Sequence, residues 1–319
     1  LLLLYAINQI DLDEFFITLV GLYYLRLILM VIIAFKTQLP KFNLNRPQNF
    51  NEVLRYSLFL VLAASAGSLI IDIDKSMLSQ FLVVEEIAFY SVAVFIATII
   101  ETPGRALFQI LNPVLAKAIN ENNKSKVANL YKDSSINLLI LAGWFFLLVN
   151  GSIDSLFELM QDKGYRSGVW VVLMISFAKL ISMSSGAANT ILINSKKYHV
   201  SLLLTIFMAV LVVIGNYIFI PIYGINGAAL TTFILVCIFT YIRIGYVYYY
   251  FKVQPYGRKT LISFLLIGTI FFVINYIHFK FNPFLSILIK SIIITLLYGG
   301  CVALLKISPT LNAIARKNK

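Results

Sequence analysis

The strongest constraint on this chain is the recurrence of apolar runs of about 20 residues, joined by short connections that carry most of the charge. Nine such runs stand at 15–35, 54–74, 87–107, 136–153, 169–193, 200–220, 225–247, 260–279 and 284–306, and residues 1–7 read as the end of one more. In helical form, roughly 20 apolar residues cross the ~30 Å hydrocarbon core of a bilayer. The chain has 319 residues, 60% hydrophobic and 13% charged, with a mean hydropathy of +0.88. Soluble domains average about 45–50% apolar and about 25% charged residues, and no water-soluble core could hide the excess. A cytosolic enzyme, a secreted domain and a disordered regulator are thereby excluded. Period-two alternation between turns is absent, which argues against a β-barrel. The fold class expected is all-α, a polytopic transmembrane helical bundle.

The connections carry turn signals at Pro40 and Pro47, at Pro221-Ile222-Tyr223-Gly224, at Pro255-Tyr256-Gly257 and at Asn282-Pro283. The opening Leu1-Leu2-Leu3-Leu4-Tyr5 has no basic segment before it and is no signal peptide. It reads as the tail of a helix cut mid-span, so the sequence is expected to be a fragment of a longer protein.

A net charge of +12 invites a nucleic-acid reading, and the placement of the charges argues against it. With residues 36–53 placed in the cytoplasm, seventeen Lys and Arg fall on that side of the alternating connections. Only Lys75, Lys163, Arg166 and Lys280 fall on the other. The asymmetry is a positive-inside signal, matched to an anionic inner leaflet. It puts the C-terminus in the cytoplasm, and no nucleic-acid motif accompanies it.

Five basic residues remain inside spans: Arg26, Arg105, Lys179, Arg243 and Lys290. Charge at that depth is costly and faces a cavity or a partner. Arg243 and Lys290 lie near span ends, where snorkelling to the interface accounts for them. Arg105 follows Glu101 by four residues, so an intrahelical ion pair competes with a transport role. Lys179 belongs to a stripe of Ser176, Lys179, Ser182, Gly186 and Asn189 at steps of 3, 3, 4 and 3, which is one helix face. A second stripe runs Ser65, Ser68, Asp72 and Lys75. Small residues suit close helix packing, but the lysine and the aspartate weigh toward a polar internal pathway. Arg26 has mostly apolar helical neighbours, and pairing with an acid on another helix competes with a cavity role. Asp72, Asp74, Glu85 and Glu86 form an outer cluster, either a cation or proton site or a solvated helix end.

Cys237 and Cys301 lie in separate apolar runs, and His199 and His278 lie in or beside loops with no acid at a pairing spacing in the sequence, so no metal, redox or triad pattern emerges. There is no phosphate-binding glycine loop and no room for a large external catalytic loop. No cofactor, no metal and no catalytic residue is expected, and the chain is not expected to be an enzyme.

The stretch Asn216-Tyr-Ile-Phe-Ile-Pro221-Ile-Tyr223-Gly224-Ile-Asn-Gly227-Ala228-Ala229 resembles a signature of O-antigen-type polysaccharide and oligosaccharide flippases. These belong to the multidrug/oligosaccharidyl-lipid/polysaccharide exporter superfamily. Physically, Pro and Gly suit a tight external turn, and the small residues let the next helix start against its neighbour. Ile71-Asp72-Ile-Asp74-Lys75 with Tyr90 and Pro103 is similar to the opening of that family's second lobe. Pro113, a Tyr131-Lys132-Asp133-Ser-Ser loop and Asn194-Ser-Lys196-Lys197-Tyr198 sit where the family has similar residues.

The resemblance implies two lobes of six helices. Residues 1–53 would then end the first lobe, 54–250 form the second, and 251–319 add two helices and a basic tail. It implies a bacterial inner (plasma) membrane location and alternating access. The implied substrate is an undecaprenyl-pyrophosphate-linked oligosaccharide, moved outward for surface polysaccharide assembly. Implied partners are that lipid-linked substrate, membrane lipids and other polysaccharide-assembly proteins, with no nucleic acid. A pyrophosphate suits buried cations, so Lys179 with Ser176, Ser182 and Asn189, then Arg26 and Arg105, are the cavity candidates. Asp72 and Asp74 are the ion-coupling candidates. A cation-coupled multidrug exporter of the same superfamily is the alternative, disfavoured by basic rather than acidic central charges. A membrane glycan polymerase would need a long outer loop, and a scaffold would have dry polar stripes.

Overall fold

A computed structural model describes residues 12–37, 49–160, 163–276 and 282–308. Among them every regular element is helical and none is a strand. Eight helices are long and apolar enough to cross a membrane. A further helix, Phe50–Phe81, contains the expected 54–74 run. The polytopic all-α reading therefore holds. Residues 1–7, Pro40, Pro47, His278, Lys280 and the C-terminal tail lie outside the described residues, as does the side chain of Ser68.

The chain divides into two compact units, residues 1–54 and 55–319. In the first, α1 (Leu12–Thr37) carries Asp13 and Glu14 in its first turn and Lys36 in its last, matching the helix dipole. Its side chains are exposed almost throughout, as suits a helix surrounded by lipid.

The second unit takes in α2 (Phe50–Phe81) from residue 55 onward and then a long rod, α3 (Val84–Thr98) and α4 (Thr102–Asn120). The rod is interrupted by a 3₁₀ turn at Ile99–Glu101. Pro103, in the first turn of α4, lacks the N–H that would continue the α-helical ladder, which accounts for the break. Next come α5 (Lys124–Leu159), α6 (Val169–Ser184) and the short α7 (Ala188–Ile193). They are followed by α8 (Tyr198–Tyr223), α9 (Ile225–Phe251), α10 (Arg258–Tyr276) and α11 (Pro283–Leu304). At a rise of ~1.5 Å per residue, the 36 residues of α5 reach about 54 Å, well beyond the hydrocarbon core. The Tyr131–Ser135 segment, expected as a loop, is accordingly part of this helix.

Helix α5 is the common wall of the unit. It packs against α4 and α6 on one side and against α10 and α11 on the other. The α11 side is fastened by polar contacts: Tyr298 Oη donates to the Ile140 carbonyl at 3.0 Å, and Trp144 Nε1 to Thr295 Oγ1 at 3.0 Å. Lys290 Nζ donates to the Gly151 carbonyl at 2.9 Å. Lys290 is only 9% exposed, so the snorkelling expectation fails. A carbonyl one helix away accepts one of the ammonium's three N–H donors and turns it inward. Arg243 is half-buried, and its guanidinium donates to Thr205 Oγ1 at 3.3 Å, so it too turns inward.

The expected single helix over 169–193 is broken. Helix α6 ends at Ser184, and Gly186 takes φ +55°, a left-handed conformation that favours glycine. The break docks on α5: Ser135 Oγ donates to the Ser184 carbonyl at 2.5 Å, and Ala187 N–H to Ser134 Oγ at 3.2 Å. The turn expected over Pro221–Gly224 narrows to Gly224 alone, at φ +58°: Pro221, Ile222 and Tyr223 remain in the last turn of α8, and α9 starts at Ile225. Here Gly227 lets two backbones meet, because a Cβ there would fall inside the Phe219 carbonyl group. Gly227→Ala is therefore expected to destabilise by about 1–3 kcal/mol through overpacking. Gly245→Ala, with nothing within 4 Å of its Cβ, should not. Thermal unfolding of the two variants in one detergent checks the difference.

Candidate functional site

Two polar constellations lie inside the second unit. The first forms at the rod's break. Lys179 Nζ on α6 lies 2.7 Å from Glu101 Oε1, each side chain about one-fifth exposed (21% and 22%). Arg105 Nη2, one turn along α4, lies 3.9 Å from Glu101 Oε2 and is 72% exposed. The expected Glu101–Arg105 pair is present but loose, and the stronger partner of Glu101 is Lys179. Ser176, one turn before Lys179, is fully buried, and its hydroxyl has no hydrogen-bond partner.

Only part of the expected stripe survives the break in α6. Ser176, Lys179 and Ser182 stay on α6, with Ser182 half-buried. Gly186 belongs to the turn, and Asn189 lies exposed on α7, its Oδ1 accepting from Ser201 Oγ at 2.7 Å. Because α6 stops at Ser184, Lys179 lies about 8 Å from the helix end at ~1.5 Å per residue. It is therefore not at the centre of a 25-residue span. Arg26 belongs to the first unit, where it is exposed on α1.

The second constellation is centred on Asp74, a carboxylate 4% exposed near the end of α2. Its Oδ1 accepts from Asn216 Nδ2 at 2.7 Å, and its Oδ2 from Tyr90 Oη at 2.7 Å and Thr232 Oγ1 at 2.9 Å. The donors come from α8, α3 and α9, so one carboxylate ties four helices. Asn216 Oδ1 is buried and has no hydrogen-bond partner, an oxygen lone pair in the same site. Asp72, two residues away on another face, is 72% exposed and paired with Lys75 at 3.4 Å. Glu85 is exposed and Glu86 half-buried. The outer acidic cluster thus separates into a solvated helix end and one enclosed acid. Among the described residues no group of three His, Cys, Asp or Glu gathers to hold a metal.

Glu101 entered the sequence reading only as Arg105's partner, and Thr232 did not enter it. Tyr90 and Asn216 lay within the segments that carried the family resemblance. The signal that marks all four is a polar side chain within an apolar helix, which hydrocarbon makes expensive.

Fold and polar interior together define a multi-pass α-helical membrane protein. The chain is 22% identical over 209 residues to the capsular polysaccharide biosynthesis protein CapF of Staphylococcus aureus. The match covers 65% of this chain and 52% of that protein, so it spans about half of the relative's length. No protein-family model matches the chain, and no solved structure does.

The geometry ranks the two ion pairs. A double-mutant cycle of Glu101→Gln with Lys179→Met should give a coupling of about 1–2 kcal/mol in unfolding free energy. The same cycle with Arg105→Gln should stay below about 0.5 kcal/mol, because Arg105 is largely exposed and solvent screens it.

Proposed function

We propose that this chain is part of a transporter acting in polysaccharide biosynthesis. Its cargo is a polyprenyl-pyrophosphate-linked oligosaccharide, carried across the bacterial plasma membrane by alternating access. The observation that carries the proposal is the enclosed Lys179–Glu101 pair at the break of a membrane rod. The likeness to a protein named for capsular polysaccharide biosynthesis supports the same direction.

The pair supplies a workable mechanism. A lone lysine in a low-dielectric interior is costly, so Glu101 holds Lys179 in place while no cargo is bound. A diphosphate brings more charge and more acceptor oxygens than one carboxylate and competes for Lys179, with Arg105 beside it. The carboxylate of Glu101 is then released, which links occupancy to the geometry of the α3–α4 break. Ser176 and Ser182 present hydroxyls on the same face, and Asn189 and Arg26 are the outlying candidates. Asp74, rather than Asp72, is the ion-coupling residue in this proposal. Its carboxylate makes no salt bridge among the described residues and accepts from three neutral donors, and a proton or a monovalent cation would balance it. No chemical bond is made or broken.

A second reading is a cation-coupled small-molecule exporter. The enclosed Asp74 favours it, since an acid poised for a proton or cation serves any cargo.

The test deletes the gene and restores it in the host. Lipid-linked oligosaccharide should accumulate on the cytoplasmic leaflet and be cleared on restoration. Lys179→Ala should reduce clearance without lowering membrane levels. The charge-balanced Glu101→Gln/Lys179→Ala pair should fold and still fail to transport. Full transport by that double variant would make the ion pair structural. Unchanged glycan with altered sensitivity to cationic drugs would favour the exporter instead.

A further inference from the structure

A third polar feature lies away from both constellations, where three connections converge. The turn between α4 and α5, the Asn194–Lys197 turn before α8 and the end of α9 enclose a cavity of about 420 Å³. Lys124, Lys196 and Lys197 line it, together with Asn120, Asn122 and Asn194. Its floor is apolar, with Val127, Phe251 and Val253. Among the described residues no carboxylate pairs with the three lysines, whereas nearby Lys117 has Glu121 at 3.9 Å. Lys197 is half-buried and held over the Tyr250 ring at 4.5 Å from its centroid. Helices α5 and α8 both begin at this cavity, and their first-turn N–H groups add positive potential to that of the lysines.

We propose that this cavity binds the phosphate headgroup of an anionic phospholipid of the cytoplasmic leaflet. Three ammonium groups with no carboxylate partner among the described residues, set around polar amides, match a phosphodiester. The apolar floor matches the start of an acyl chain, and a free anion would gain nothing from it. The position also fits, because the asymmetry of Lys and Arg assigns these connections to the cytoplasmic face, where anionic lipids concentrate. The cavity shares no residue with the Lys179 site, so the proposal stands whether or not the cargo assignment is right.

The test places the whole protein in phosphatidylcholine nanodiscs containing a trace of fluorescent phosphatidylglycerol and measures retention of the probe. Lys124→Gln/Lys196→Gln/Lys197→Gln should weaken retention by about tenfold or more. Lys117→Gln/Lys126→Gln/Lys132→Gln removes the same charge from the same side outside the cavity, and should change retention less than about twofold. Thermal unfolding confirms that each variant folds, and Lys197→Gln alone replaces the triple if it does not. Three results would overturn the proposal. An equal fall by the two triples would reduce the effect to general surface charge. Equal retention of phosphatidylglycerol and phosphatidylcholine by the wild type would remove the headgroup preference. Finally, displacement of the probe by millimolar inorganic phosphate would identify a free-anion site instead.

Discussion

A polar group inside hydrocarbon has no water to turn to, and the structure is organised by that fact. The backbone meets it by forming helices alone. The side chains meet it by finding partners on neighbouring helices: Lys290 a carbonyl of α5, Lys179 the carboxylate of Glu101, and Asp74 three donors from three helices. Each partner is fixed in place because losing it would leave a desolvated group behind, a larger penalty than the net worth of the bond. The polar contacts therefore set which helices are neighbours, and apolar packing fills the space between them.

The two inner constellations solve the problem differently. Lys179 and Glu101 cancel formal charges, so the pair is neutral as it stands and becomes charged only if one partner is drawn away. Asp74 is bonded to neutral donors on three helices and forms no salt bridge among the described residues. In the function proposed above, the first would meet an anionic cargo and the second a small cation. Both sit where helices are interrupted or end, since regular helix in mid-membrane offers little but apolar side chains.

Much of this was legible in the sequence, because length and hydropathy answer directly to bilayer thickness. Helix α1 over Leu12–Thr37 contains the run at 15–35, and the chain turns between α8 and α9 at Gly224, the glycine of the expected turn signal. The ends of α5 were not legible: once a helix leaves the hydrocarbon its residues turn polar without ceasing to be helical, so Tyr131–Ser135 read as a loop. The break after Ser184 was hidden for the opposite reason. Its residues are small and mildly apolar, and only the fit of Gly186 against Ser134 and Ser135 reveals the turn. Snorkelling of Lys290 and Arg243 was a statement about depth alone. Whether a carbonyl or hydroxyl waits on the next helix depends on tertiary neighbours that a single sequence does not show.

The shared wall formed by α5 has a mechanical consequence. Helix α11 is bolted to the same shaft that carries α4 and α6, through Tyr298, Trp144 and Lys290, and α10 packs on that shaft beside it. Any tilt of that shaft drags α11 with it, and α10 through its packing. If the protein works by the alternating access proposed above, α10 and α11 are ballast that travels with the moving wall, and their friction with the lipid enters its speed.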